Sequence, residues 1–453
     1  MSEYFLFSLL TVVAALMSYV NTRYLKLPKA IGLTILSMTF SLLCASFLSE
    51  TNFLVTALQS FDFKKTVLEG MLSFLLFANA LHFNMLDLKK ELKAIFALAS
   101  IGLLLSAFTT AVLIYGFCLL IGFDANFGHC LVFGALISPT DPIAVISTLA
   151  GNKTIPQHIK TRVVGESLFN DATGIVLFVV LANVVFFKNT DAAVGQVITS
   201  NMDYVWLIFK QISIEAGCGI LLGYIFARVA LVFLQSNKDS ETSIFVTLAV
   251  ASMGYLIAHS LHVSGPIAMV VSGLFIGSNL AEGRKTCPDQ VEKIDNFWMV
   301  IDNMLNSFLF ILIGLELTSI KFSHEAILIG IVGIFIVTAA RFVSILIPIT
   351  LLDKQLSASS AKDNLLLSWA GVRGGISLAL ALSLPAEGNV IISITYVVVI
   401  LSILVQGSTL KLVINWVYPP KVESPYAAQN ANISTTTNTC SHCGDTKEQI
   451  PVD

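Results

Sequence analysis

Between Thr161 and Phe187 the chain runs for about 27 residues as an apolar stretch long enough to cross a bilayer. No water reaches the backbone at that depth. A lone segment of this length must therefore be an α-helix, whose N–H and C=O groups satisfy one another. Yet the run opens with Gly165-Glu166-Ser167-Leu168-Phe169-Asn170-Asp171-Ala172, which carries two carboxylates, a hydroxyl and an amide. Ionisable groups in hydrocarbon are costly, and by default they mark an ion pathway or a proton relay. The remaining segments are expected to bring partners to this helix.

The same apolar signal recurs along the chain. Spans are expected at roughly 4–21, 29–48, 65–85, 93–121, 129–150, 161–187, 211–235, 242–260, 263–280, 298–318, 324–352, 362–384 and 390–416. Only 12% of the 453 residues are charged and 55% are hydrophobic, whereas a soluble domain carries about 25% charged residues. The expected fold class is all-α integral membrane, with about thirteen transmembrane helices. The lipid bilayer is then the main environment, and no nucleic-acid partner is expected. Charge placement sets the topology. Lys64, Lys65, Lys188, Lys210 and Lys321 fall on one side, and Arg341 and Arg373 fall within spans. The rest of the 26 basic residues fall on the other side. This bias puts the N-terminus outside and the C-terminus in the cytoplasm of a multi-pass protein of the cell (inner) membrane. With Glu3 rather than basic residues before it, the first run is read as a span and not as a cleaved signal.

Two spans are interrupted. The fifth contains Ser138-Pro139-Thr140-Asp141-Pro142, where two prolines remove backbone donors and clash with the preceding turn. The twelfth contains Trp369-Ala370-Gly371-Val372-Arg373-Gly374-Gly375, where three glycines surround one arginine. Interrupted segments at corresponding places point to an inverted repeat, with two broken helices crossing at a midplane site.

The charges at depth are few: Asp141, Glu166 and Asp171 against Arg341 and Arg373. Matching depths pairs Glu166 with Arg341 and Asp141 with Arg373. Asp171 is left over. A carboxylate without a permanent counter-ion at low dielectric can hold a proton or a small cation. Competition between the two for one group couples their movements, which is the chemistry of exchange. Ser167 and Asp171 are four residues apart and share a helix face. With Thr140 they can offer hard oxygen ligands to a sodium ion. Asn170, turned about 100° round the helix, is placed to fix the fifth-span break.

Together, Gly165-Glu166-Ser167 to Asn170-Asp171, Pro139-Thr140-Asp141-Pro142, Asn306 to Leu317 (Asn-Ser-Phe-Leu-Phe-Ile-Leu-Ile-Gly-Leu-Glu-Leu) and Gly371-Val372-Arg373-Gly374-Gly375 resemble the monovalent cation:proton antiporters of the sodium/proton exchanger type. The resemblance covers about residues 4–416. It implies that Asp171 is the cation- and proton-binding carboxylate, and that Ser167 and the Thr140 backbone are ligands. It also implies that Glu166–Arg341 is a structural pair and that Asn-Asp, rather than two acids, signals electroneutral exchange. The family further implies a homodimer in which a core moves against a scaffold. Scaffold and dimerisation helices are expected at 1–88 and 236–321, core helices at 89–187 and 322–417, and a linker with a connecting helix at 188–235. A polar cytoplasmic tail is expected at 418–453. One departure stands out: many relatives carry an acid in the third span, where this chain has Asn79. That leaves open whether the third span enters the cation shell, and whether sodium, lithium or potassium is carried. A potassium/proton antiporter is the nearest alternative reading, and a cation channel on the same fold is a more distant one.

Other polar groups are read more plainly. Asp302, Asn303 and Asn306 are expected to form hydrogen bonds between helices. His259 and His262 flank a short outer turn. Cys440-Ser-His-Cys443 offers too few ligands for a structural zinc. No cofactor is implied, and no motif for a membrane enzyme is present.

Overall fold

The computed structural model describes residues 3–47, 62–83, 85–142, 145, 149, 154–186, 201–237, 239–283, 287–352 and 361–419. The expected tail beyond 419, with Cys440 and Cys443, lies outside the described residues, as does 188–200 of the expected linker. Among the described residues all regular structure is helical.

In chain order, α1 (Glu3–Val20) and α2 (Lys29–Phe47) precede α3 (Leu72–Leu81), which a wider turn at Lys65–Met71 leads into. Next come α4 (Met85–Ala97), α5 (Leu103–Leu120), the short α6 (Phe127–Ile137) and the long α7 (Gln157–Phe186). The second half contains α8 (Asn201–Ser236), α9 (Ser240–Ser260), α10 (Gly265–Gly283), α11 (Pro288–Leu315) and α12 (His324–Leu352). It closes with α13 (Ala361–Trp369), α14 (Gly375–Ala381), α15 (Asn389–Leu401) and α16 (Gly407–Val417).

Local chemistry sets several of these limits. Asn126 caps α6 by accepting from the Gly128 N–H at 2.7 Å, and Asp239 caps α9 by accepting from the Thr242 N–H at 2.8 Å. Pro288 opens α11, where its missing donor costs nothing.

Ten helices among the described residues are long and apolar enough to cross a membrane. Three of the thirteen expected spans are not in that set. The third is short, formed by the turn at Lys65–Met71 and α3. The fifth and twelfth are interrupted: α6 ends at Ile137 and α13 at Trp369. Much of the expected fifth span after Pro142 lies outside the described residues.

The exterior is apolar, as a lipid-facing surface requires. Leu104, Phe108 and Val112 on α5 and Leu328, Ile331 and Phe335 on α12 are exposed. Polar groups face inward, including Thr140, Asp141, Glu166, Ser167, Asn170, Asp171, Arg341 and Arg373.

The helices pack in two sets. In one, α10 lies against α3, α8 and α9, while α11 packs on α2, α3 and α9. Trp298 of α11 anchors this set. It is fully buried against Phe74 and Phe77 of α3 and donates its indole N–H to Thr247 Oγ1 of α9 at 3.0 Å. In the other set, α7 packs on α4 and α6, α12 packs on α5, α13 and α15, and α14 packs on α15. The sets meet where α7 touches α8 and α10 and where α14 touches α11.

The two interrupted helices meet at their breaks. The Asp141 N–H donates to the Val372 carbonyl at 2.7 Å. The crossing is tight enough to demand glycine. A Cβ at Gly374 would lie 2.4 Å from Asp141 Oδ2, and one at Gly174 of α7 would lie 2.2 Å from the Pro139 ring. Gly374→Ala is therefore expected to push the two breaks apart and destabilise the fold by about 1–3 kcal/mol. Thermal unfolding of the purified variant in detergent checks this.

Candidate functional site

α7 brings the polar residues to the crossing. Glu166 lies 1% exposed and receives Arg341 of α12 in a two-pronged ion pair, Nη1 to Oε1 at 2.5 Å and Nη2 to Oε2 at 2.7 Å. Planar guanidinium and carboxylate match in this geometry, which offsets the cost of taking two charges out of water. The pair ties α7 to α12. A second ion pair, Arg162 Nε to Glu91 Oε2 at 2.7 Å, ties α7 to α4. Sequence reading placed Arg162 among the inner surface charges. Only the packing of α4 on α7 reveals its partner.

One turn on, Asn170 holds the first break. Its amide Nδ2 donates to Thr140 Oγ1 at 3.1 Å, and its Oδ1 accepts from the Thr140 N–H at 3.3 Å. Thr140 Oγ1 also lies 2.9 Å from Ser167 Oγ. The amide thus supplies part of what the Pro139–Pro142 interruption removes from the helix ladder.

Arg373 corrects one expectation. Its guanidinium does not pair with the Asp141 carboxylate. Instead it donates to the carbonyl oxygens of Ser138 and Pro139, three and two residues before Asp141, at 3.1 Å for Pro139. Ending α6 at Ile137 leaves carbonyls without helical donors, and a fixed cation with several N–H groups satisfies them. The Arg373 N–H is itself satisfied by Ser402 Oγ at 2.9 Å, and Ser402 donates to Gln406 Oε1 at 2.5 Å. Neither Ser402 nor Gln406 stands out in the sequence, because each lies in an apolar span with no motif around it.

Asp171 is buried, and it makes no hydrogen bond or ion pair with the described residues. It lines a small cavity with Asn79, Asp141, Pro139, Pro142 and Ser377, closed on the apolar side by Leu75, Leu76 and Leu309. The cavity has room for roughly one water molecule. Asn79 of α3 therefore does face the same space as Asp171. Ser167 and Thr140 are fully buried beside it and do not line it. Their hydroxyls are turned to each other, and Thr140 Oγ1 also accepts from Asn170.

The remaining polar candidates take no part. Asn306 donates to Asp302 at 2.9 Å and Asn303 to the Met299 carbonyl at 2.8 Å. These bonds run within α11 and not between helices, because four-residue spacing brings each pair onto one face. His259 and His262 are exposed at the turn after α9.

The chain is similar to proteins of one family over most of its length. The family model described as sodium/hydrogen exchanger, transmembrane, matches residues 11–416. The chain is 36% identical to the Na(+)/H(+) antiporter NhaP of Pseudomonas aeruginosa, over 89% of this chain and 94% of that protein. It is 31% identical to the Na(+)/H(+) antiporter NhaH of Halobacillus aidingensis, over 86% and 92%. In fold it is similar to the sodium proton antiporter MjNhaP1 of Methanocaldococcus jannaschii, with a TM-score of 0.72 and 20% identity over 93% of this chain and all of that one.

The ion pair yields a measurable asymmetry. Arg341→Ala leaves a buried, uncompensated carboxylate and is expected to cost about 3–5 kcal/mol, whereas replacing Glu166 and Arg341 together by apolar residues of similar size costs far less. Thermal melts of the single and double variants distinguish the two.

Proposed function

Because this chain belongs to the sodium/hydrogen exchanger family, we propose that it exchanges sodium for protons across a membrane, with both competing for Asp171. The observation that carries the reading is the state of this carboxylate. Glu166 is held by Arg341, and Arg373 is committed to the carbonyls of the fifth-span break. Asp171 alone of the acids on α7 is buried without an ion-pair partner and opens onto a cavity between the two breaks. A carboxylate in that setting is relieved by a proton or by a cation, and the two exclude each other.

Ser167 Oγ and the Thr140 oxygens, one turn away, are the neighbouring oxygen ligands, and Asn170 and Asp141 support the break that presents them. One exchangeable charge corresponds to one cation for one proton. The role is that of a secondary transporter and not an enzyme. Sodium is favoured by the relatives' names, and lithium and potassium are the competing cations to measure.

Transport requires the site to face each side in turn. The set built on α4, α5, α6, α7 and α12 to α15 corresponds to the moving core, and the set around α3 and α8 to α11 corresponds to the scaffold. Their meeting along α7 and α14 is the surface on which the core would slide. The protein would act as a homodimer in the cell membrane, with its N-terminus outside and its C-terminus in the cytoplasm.

Asp171→Asn is expected to abolish sodium-driven dissipation of a pH gradient in proteoliposomes while leaving the thermal melt near that of the wild type. A folded Asp171→Asn protein that still exchanges would sink the mechanism. Competition at one carboxylate also sets a pH signature. As pH falls, the half-saturating sodium concentration should rise while the maximal rate, reached at higher sodium, is retained. A half-saturating concentration independent of pH would show that proton and cation bind separately.

A further inference from the structure

The cavity beside Asp171 has a wall that the family reading does not use. Ser377 sits on α14, two residues after the second break ends, and is 3% exposed. A buried serine in a helix ordinarily bonds back to the carbonyl three or four residues earlier. Several serines and threonines of this chain do so: Ser383 to Leu380, Ser408 to Leu404 and Thr173 to Phe169. For Ser377 those carbonyls belong to Arg373 and Gly374, which lie in the extended segment before α14 begins. Its hydroxyl therefore has no helical acceptor, and it makes no hydrogen bond with the described residues. It lines the cavity instead, together with Asp171 and the half-buried amide of Asn79, which also lacks a partner.

Three polar side chains from three helices, without a partner among the described residues, thus converge on a space the size of roughly one water molecule. Left dry, each would cost free energy, so their convergence points to something polar that they share. All three offer oxygen, the ligand type that hard alkali cations take. The Ser167 and Thr140 hydroxyls, by contrast, bond each other and do not line the cavity.

We infer that Ser377 is a cation ligand and a specificity-determining residue, its Oγ closing the ion site from the second broken helix. The inference rests on the reading that Asp171 binds the cation. It has a mechanical consequence. A ligand on α14 makes occupancy of the site a bond between α7 and the second broken helix, so the ion itself ties that helix to Asp171.

The test is exchange in proteoliposomes with sodium, lithium and potassium, comparing wild type, Ser377→Ala, Ser377→Cys and Asp171→Asn. Ser377→Ala removes one oxygen and widens the site. The half-saturating sodium concentration is expected to rise about tenfold, on the scale of one hydrogen bond to a charged group. The preference for sodium over potassium should fall. Ser377→Cys keeps the volume and replaces a hard oxygen by a soft sulfur, so it should weaken sodium in the same direction. It carries the test if Ser377→Ala fails to fold. Ser377→Thr, which restores the hydroxyl, should recover most of the selectivity. A merely structural serine would lower the melting temperature or the rate for all three cations alike. An unchanged sodium-to-potassium ratio in a folded Ser377→Ala or Ser377→Cys protein overturns the inference, provided Asp171→Asn is inactive. Persistent exchange in Asp171→Asn would overturn the reading beneath it.

Discussion

A helix that stops inside a bilayer exposes carbonyls and N–H groups that no water can reach, and every such group must find a partner within the protein. This chain interrupts two helices, and much of its interior polarity answers the resulting demand. Arg373 takes the carbonyls of Ser138 and Pro139, Asn170 takes the N–H of Thr140, Ser402 takes the N–H of Arg373, and the backbones join directly at Asp141 and Val372. The charges used are fixed ones and amides, which hold their hydrogen bonds whatever the protonation of the neighbouring acid. A break supported in this way can stay open at its centre without unravelling, and the open centre is where the cavity lies.

The same arrangement explains why one carboxylate is available. Burying a carboxylate without a partner is costly, and Glu166 avoids this through Arg341. Arg373 is occupied by backbone and cannot also neutralise Asp171. The polar inventory is therefore short by one counter-ion at one place. In the proposed function the missing partner is the transported species. The tight approaches at Gly174 and Gly374 keep the deficit localised, because they leave no space for another side chain to move in.

Much of this was legible in the sequence. Apolar run length and the prolines and glycines within runs specify membrane helices and their breaks, since both are local properties of the backbone. Counting charges and comparing depths paired Glu166 with Arg341 and left Asp171 over. The same depth argument assigned Arg373 to Asp141, because depth does not tell a carboxylate from the carbonyls two and three residues before it. Asn79 could be located as a neutral residue in the third span, but whether it faced the site depended on how α3 rotates against its neighbours.

Composition and periodicity thus determined that the chain is an all-helical membrane protein with two interrupted spans and one surplus buried acid. Those features follow from the solvent and from the covalent chain. Which hydroxyls face the cavity beside Asp171 was decided only by the tertiary structure. Ser167 and Thr140 looked like ligands and turned to each other, while Ser377, an unmarked serine in an apolar helix, was left facing the cavity beside Asp171. Its direction depends on where the second break ends, and so on the packing of four helices at the crossing, which no local pattern encodes.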